Sequence, residues 1–191
     1  MIQEELSAAI ARMAAGDQDA FEAVYQMTRE DVYRTVLFLV VNRSDAVDVV
    51  NDIYLHVWKS IGSYDPARPF RYWLHGLALH RAAAYRRTRW KAFRLFEKQK
   101  KLAPTEPSAS DDTILQREQR DAMLDHVFRL SYKLRAVIIL RYFHDYTLEE
   151  IGSLLQIPVG TVKSRHHLAL GKLRKAMDPS NERKAEFPYV Y

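Results

Sequence analysis

The chain has 191 residues, 48% of them hydrophobic, with seven prolines, six glycines and no cysteine. That is enough apolar material for one domain or two small ones, and the lack of cysteine excludes a disulfide framework and a thiolate metal site. A net charge of +5 and a pI near 9.4 fit a polyanionic partner or a generally basic surface.

Apolar spacing is helical almost throughout and nothing alternates at period two for long, so the expected fold class is all-α. The start, Met1-Ile-Gln-Glu-Glu-Leu6, is acidic where a secretion signal is basic, and no apolar run approaches a membrane span. The expectation is a cytoplasmic protein without membrane insertion. Between Ser44 and Ile61, the residues Ala46, Val49, Val50, Ile53, Val57 and Ile61 form one helical stripe, while Asp45, Asp48, Asp52, His56 and Lys59 fall on the opposite face. The row of acids reads as the solvated side of an amphipathic helix, as a docking surface for a basic partner, or, less readily, as a carboxylate site for a metal.

A turn-rich loop, Ser63 to Pro69, leads into Phe70–Trp90, where aromatic and basic residues alternate. Such a pattern suits unpaired nucleic acid, with rings stacking on bases and guanidinium groups following the backbone. Phe70, Trp73, Leu74, Leu77 and Ala84 share one helical face and read equally as core, which leaves Tyr64, Tyr72, Tyr85 and Trp90 as the freer rings. From Arg81 to Lys101 nine basic residues stand against one acid, Glu97. So many like charges on one helix call for a polyanion or solvent. Ala103–Asp112 then has no apolar residue larger than alanine or proline and reads as an exposed linker. Periodicity resumes at Ile114 and Leu115 and runs through Leu124, Val127, Phe128, Leu134, Val137, Ile138 and Leu140. Two helical domains are expected, 1–95 and 113–178, joined by a flexible tether over 96–112 and followed by an unassigned tail, 179–191.

Within the second domain Thr147 and Glu150 form a T-x-x-E capping box that starts a short helix with Ile151, Leu154 and Leu155 as its buried face. Gln156-Ile157-Pro158 interrupts it, since proline disfavours helical geometry in the residue before it. A second helix is expected from Val159 to about Met177, with Val162, Leu170 and Leu173 facing the first. Lys163, Arg165, Lys172, Arg174 and Lys175 give it five positive charges and no acid. This is a helix-turn-helix whose second helix suits the major groove of DNA.

Asp45-Ala-Val-Asp-Val-Val-Asn-Asp-Ile-Tyr-Leu-His-Val-Trp-Lys59, followed by Tyr64-Asp-Pro-Ala-Arg-Pro-Phe-Arg-Tyr-Trp-Leu74, resembles conserved region 2 of bacterial RNA polymerase sigma factors. The helix-turn-helix, with Leu134-Arg-Ala-Val-Ile-Ile-Leu-Arg-Tyr-Phe143 before it and Gly160-Thr-Val-Lys-Ser-Arg165 within it, resembles region 4. The presence of only these two regions is the layout of the extracytoplasmic-function subgroup. The resemblance implies a sigma factor with no catalytic residues, cofactor or metal of its own, which binds core RNA polymerase and directs it to promoters. It places Asp45, Asp48 and Asp52, with Val49 and Ile53, on the β′ coiled coil of the polymerase, and implies contact with the β flap as well. It places Tyr64, Arg68, His80, Arg81, Tyr85, Arg86, Arg87 and Arg89 on the separated strand of the −10 motif. Thr161, Lys163, Ser164, Arg165, His167 and Lys172 fall on the −35 duplex, and an anti-sigma factor is a candidate partner. A stand-alone helix-turn-helix regulator is the alternative from another class; it needs neither the acidic row nor the aromatic-basic strip.

The chain departs from the family pattern in four places. Leu77-Ala-Leu-His80 puts an imidazole where an asparagine is usual, and Leu130-Ser131 replaces Leu-Pro. Pro158 takes the place of a capping serine, and a lost cap costs ~1 kcal/mol. His166-His-Leu-Ala-Leu170 stands where arginines are usual. Arginine reads guanine through two hydrogen bonds, which Leu168 and Leu170 cannot make. Leu168 meets a thymine methyl or packs inward, and helical spacing favours inward.

Overall fold

The computed structural model describes residues 2–100 and 122–177. The chain divides into two compact units, Met1–Ala92 and Phe93–Tyr191, and among the described residues both are built from helices. Most of the tether expected over 96–112, together with Ile114, Leu115 and the tail 179–191, lies outside the described residues.

The first unit holds α1 (Ile2–Ala14), α2 (Gln18–Val40), α3 (Arg43–Ser60), a single 3-10 turn (Ile61–Ser63) and, up to Ala92, α4 (Phe70–Lys100), a helix that continues past the boundary expected at 95. Short polar side chains start the helices. Asp17 accepts from the N–H groups of Asp19 at 2.9 Å and Ala20 at 3.2 Å and so caps α2. Arg12 bonds the same carboxylate at 2.8 Å and holds it below the usual carboxylate range. Asn42 caps α3 by accepting from the N–H of Asp45 at 3.1 Å. Between them Val41 has φ 76°, a left-handed conformation that strains a β-branched residue by ~1–3 kcal/mol. It closes α2 by donating its N–H to the Leu37 carbonyl at 2.8 Å.

Every member of the expected stripe on α3, from Ala46 to Ile61, is buried, against a core that includes Met13, Val24, Val36 and Leu39. From α4, Phe70, Leu74, Leu79 and Ala82 are buried, while Trp73, Leu77 and Ala84 are half-buried. A polar tie adds to this packing: the fully buried His75 brings Nε2 to 2.9 Å from Asp31 Oδ2, and Arg71 donates to the same carboxylate at 3.1 and 3.2 Å. Burial pushes the Asp31 carboxyl up, but the His75 and Arg71 bonds outweigh it and hold it well below the usual range. The tie fixes the start of α4 against α2, and with it the loop that precedes α4.

The second unit holds α5 (Ala122–Arg129), α6 (Tyr132–Tyr142), α7 (Leu148–Leu155) and α8 (Val159–Ala176). α6 is buried without a break from Leu134 to Leu140, so it is a central helix and not a surface one. Within that run Arg135 reaches back to the end of α5, donating to the carbonyls of Phe128 at 2.5 Å and Leu130 at 3.3 Å. The capping box of α7 is complete: the Thr147 N–H donates to Glu150 at 2.7 Å and the Glu150 N–H donates to Thr147 Oγ1 at 3.2 Å. Ile151 is buried, and Leu154 and Leu155 are half-buried.

The break between α7 and α8 falls within the stretch Gln156–Pro158 expected to interrupt the helix, and it begins at Gln156. Gln156 adopts φ 53°, and Ile157 donates its N–H to the Gly152 carbonyl at 2.9 Å, a C-terminal closure of the kind that a left-handed residue permits. Pro158 then stands at the start of α8 without any side-chain cap. The turn is tight enough to need Gly152: a Cβ there meets the Ile157 carbonyl oxygen at 3.0 Å and a Val159 methyl at 3.4 Å. Gly152→Val is therefore expected to destabilise this unit by ~2 kcal/mol through overpacking, read as a lower urea midpoint at unchanged m-value. An unchanged midpoint would show that the turn relaxes without cost.

Candidate nucleic-acid interface

Two surfaces carry the residues singled out in the sequence. The first lies where α3 and α4 face each other. Arg81 Nε donates to Asp52 Oδ2 at 2.6 Å, and its Nη2 lies at 2.6 Å from the same oxygen. Arg89 pairs with Asp45. Asp48 lies near enough to Tyr85 to add, after burial, to the upward shift of the phenol. The acidic row and the basic strip thus form one face of alternating charge. This corrects the expectation that the arginines of α4 stand against solvent or a polyanion alone: Arg81 and Arg89 already have carboxylate partners. Arg86, Arg87 and Trp90 are exposed, as is His80.

A second correction concerns Val49 and Ile53. Both were placed on the docking surface beside the acids, yet they are 3% and 0% exposed, because they lie on the core stripe of α3. The apolar residues that α3 presents outward are Val47 and Leu55, 48% and 60% exposed, one turn to either side of the exposed Asn51.

The loop before α4 is built by its own side chains. Asp65 accepts from the Ala67 N–H at 2.9 Å, a turn-forming bond of the Asx type. Tyr64 donates its hydroxyl to the Arg68 carbonyl at 2.7 Å, and its ring contacts Phe70 and Trp73 at centroid distances of 5.3 and 5.7 Å. Burial raises the Tyr64 pKa, with Asp65 acting in the same direction. Tyr64 is therefore half-buried and shapes the loop, whereas Arg68 is exposed at its tip.

The second surface is α8. Lys163, Ser164, His167 and Lys172 are exposed, and Thr161 and Arg165 are half-exposed. Ser164 Oγ donates to the Gly160 carbonyl at 2.9 Å. Val162, Ala169 and Leu173 form the inner stripe. His166 extends that stripe, bonded to the Tyr142 hydroxyl at 3.0 Å and stacked on its ring at 5.7 Å. Partial burial, aided by Arg141 and His167, lowers the His166 pKa, so at neutral pH it is an uncharged strut between α6 and α8. Nothing in the sequence pattern marked this contact, nor the buried pair of His75 and Asp31. Leu168, expected to pack inward, is 53% exposed.

One unit thus carries an acid-and-arginine face beside an aromatic loop, and the other carries a helix-turn-helix. Residues 24–92 match the family model of sigma-70 region 2, and residues 128–175 match that of sigma-70, region 4. The chain is 30% identical over 182 residues to the ECF RNA polymerase sigma factor SigK of Mycobacterium sp. strain KMS, covering 94% of each. It is 28% identical over 179 residues to the ECF RNA polymerase sigma factor SigW of Bacillus subtilis strain 168, covering 88% of this chain and 94% of that one. The chain belongs to the extracytoplasmic-function (ECF) sigma factors of the sigma-70 family. Accordingly it is a non-catalytic subunit that binds core RNA polymerase and DNA and directs transcription initiation. Two solved structures share its fold: CnrH in complex with the cytosolic domain of CnrY, with a TM-score of 0.59 at 22% identity over 94% of this chain and 97% of that one, and RpoE with the anti-sigma factor NepR from Bartonella quintana, with a TM-score of 0.63 at 18% identity over 83% and 97%. Among the described residues no helix is long and apolar enough to cross a membrane.

Proposed function

We propose that the first unit, up to about residue 95, docks on the β′ coiled coil and captures the melted −10 strand, and that the second, from about residue 113, reads the −35 duplex and meets the β flap. The observation that carries the −10 half is the exposed arginine run on α4, Arg86 and Arg87 with Arg89, beside half-buried Tyr85 and downstream of the loop tipped by Arg68. Rings and guanidinium groups together suit a single strand. His80, exposed on the same helix, is its base-reading candidate. Docking uses the carboxylates of Asp45, Asp48 and Asp52 with the outward Val47 and Leu55; Val49 and Ile53 act only by holding α3 in place.

For the −35 half, α8 is free of acids and its N-terminus is uncapped, which leaves first-turn N–H groups for a phosphate oxygen. Lys163, Ser164 and His167 lie on its outer face near that end, with Thr161 and Arg165 at the margin and Lys172 two turns on, a placement for phosphate. The RpoE neighbour was solved with an anti-sigma factor, and a partner of that class belongs to the proposal.

Replacing Arg86, Arg87 and Arg89 with alanine tests strand capture. Losing three phosphate contacts is expected to flatten the salt dependence of single-strand binding by about 2 in log–log slope. Open-complex formation by the reconstituted holoenzyme should fall on duplex promoters and recover in part on a pre-melted template. Equal loss on both templates would show that the strip supplies general affinity and not melting.

A further inference from the structure

The outward placement of Leu168 reverses the expectation from helical spacing and brings an apolar side chain onto the face that meets DNA. We propose that Leu168 is a base-reading residue, contacting the 5-methyl group of a thymine in the −35 duplex. The proposal deepens the −35 reading above and rests on it.

Three observations converge on this residue. The inner stripe of α8 is Val162, His166, Ala169 and Leu173, and at 3.6 residues per turn Leu168 falls on the outer face, one turn beyond Ser164. Among the described residues of α8 it is the large apolar side chain left exposed, at 53%. Next, the same face carries Gly160 and Gly171, and a Cβ at either would have nothing within 4 Å. Glycine inside a helix costs ~1 kcal/mol against alanine, and no packing among the described residues calls for it at 171. A bare backbone position does suit close approach by an outside surface. Finally, the face is ringed by Lys163, Lys172, Arg174 and Lys175, all exposed, with no acid anywhere in the helix. That charge selects a polyanion, and the apolar group that a major-groove edge presents to a leucine is the thymine methyl. A rise of 1.5 Å per residue puts Leu168 ~6 Å along the axis from Ser164.

The test uses holoenzyme reconstituted from the full chain and core polymerase. A preferred −35 element is first selected from a randomised library with wild type and with Leu168→Ala. Each thymine of the wild-type element is then replaced singly by deoxyuridine, which removes the methyl and nothing else. One such replacement is expected to weaken wild-type binding about fourfold, the ~0.8 kcal/mol of one buried methyl, and to leave Leu168→Ala binding unchanged. The motif selected by Leu168→Ala should lose its preference at that position and keep the rest. If both proteins select the same motif and respond alike to every deoxyuridine, Leu168 does not read a methyl, while the −35 reading stands. If neither protein selects any −35 motif, the −35 reading fails and this proposal falls with it.

Discussion

Changing Asp45, Asp48 and Asp52 together to asparagine is expected to act on two bindings in opposite directions. Affinity for core polymerase should fall by roughly tenfold or more, ~1.4 kcal/mol, because three carboxylates leave the surface proposed to meet basic groups of β′. Charges at such a surface act through long-range steering, so the loss should shrink between 0.01 M and 0.15 M salt as the Debye length drops from ~30 Å to ~8 Å. The same change removes the partners of Arg81 and Arg89, which Asp52 and Asp45 hold in the free protein. Two guanidinium groups released toward solvent should raise the affinity of the free protein for single-stranded DNA by about two- to fivefold, in line with what a partly exposed ion pair is worth. The fold should persist for the same reason. Titration of labelled protein against core polymerase and against a single-stranded oligonucleotide reads both effects. Unchanged core affinity with native circular dichroism would remove the acidic row from the interface, and unchanged DNA affinity would show that the carboxylates do not restrain the arginines. A gain on DNA with a loss on polymerase would mean that docking, by drawing the acids toward β′, frees α4 for the strand.

The elements that the sequence disclosed are those specified by neighbours. The capping box of α7 needs residues three apart, and it stands as expected between Thr147 and Glu150. The apolar stripe of α3 needs only a period of 3.6, and all of it from Ala46 to Ile61 is buried. The all-α class follows from the same spacing. What stayed hidden depends on residues far apart in the chain. Nothing local says that Arg81 turns toward Asp52, 29 residues away, or that His75 is buried against Asp31, 44 residues away. Like charges counted along one helix say nothing of the opposite charges that another helix brings to them.

Other expectations erred over which way a side chain faces. Val49 and Ile53 sit next to Asp48 and Asp52 in sequence but a step of 100° from them round the helix, and the core claims both. Leu168 is next to Ala169 of the inner stripe in sequence, but a step of 100° per residue carries it out to the exposed face. Gln156 ends α7 from a left-handed conformation that its residue type does not advertise, whereas Pro158, the more conspicuous signal, only starts the next helix.

Arg135→Met is expected to destabilise the second unit by ~2–3 kcal/mol. Arg135 is 5% exposed and its guanidinium donates to two carbonyls at the end of α5. The Phe128 carbonyl is among the last of its helix, which have no partner within it, the Leu130 carbonyl lies just beyond, and a bond from a charged donor contributes ~1.5–3 kcal/mol. Methionine keeps the apolar stem among the packed residues of α6 but removes the donors, so the loss reflects hydrogen bonding more than volume. For a unit of this size each kcal/mol shifts the melting midpoint by roughly 4–8 °C, and the expected drop is on the order of 10–20 °C. Arg135→Lys, with a charge but no fork of donors, should recover only part of it. Because the change lies in the second unit, the variant should still bind core polymerase through α3 while losing transcription that depends on the −35 element, more so as temperature rises. A midpoint within ~3 °C of wild type would show that water replaces the guanidinium without cost. Equal loss of core binding and −35 dependence at a temperature where the first unit remains folded would show instead that the second unit carries more of the polymerase contact than α3 does.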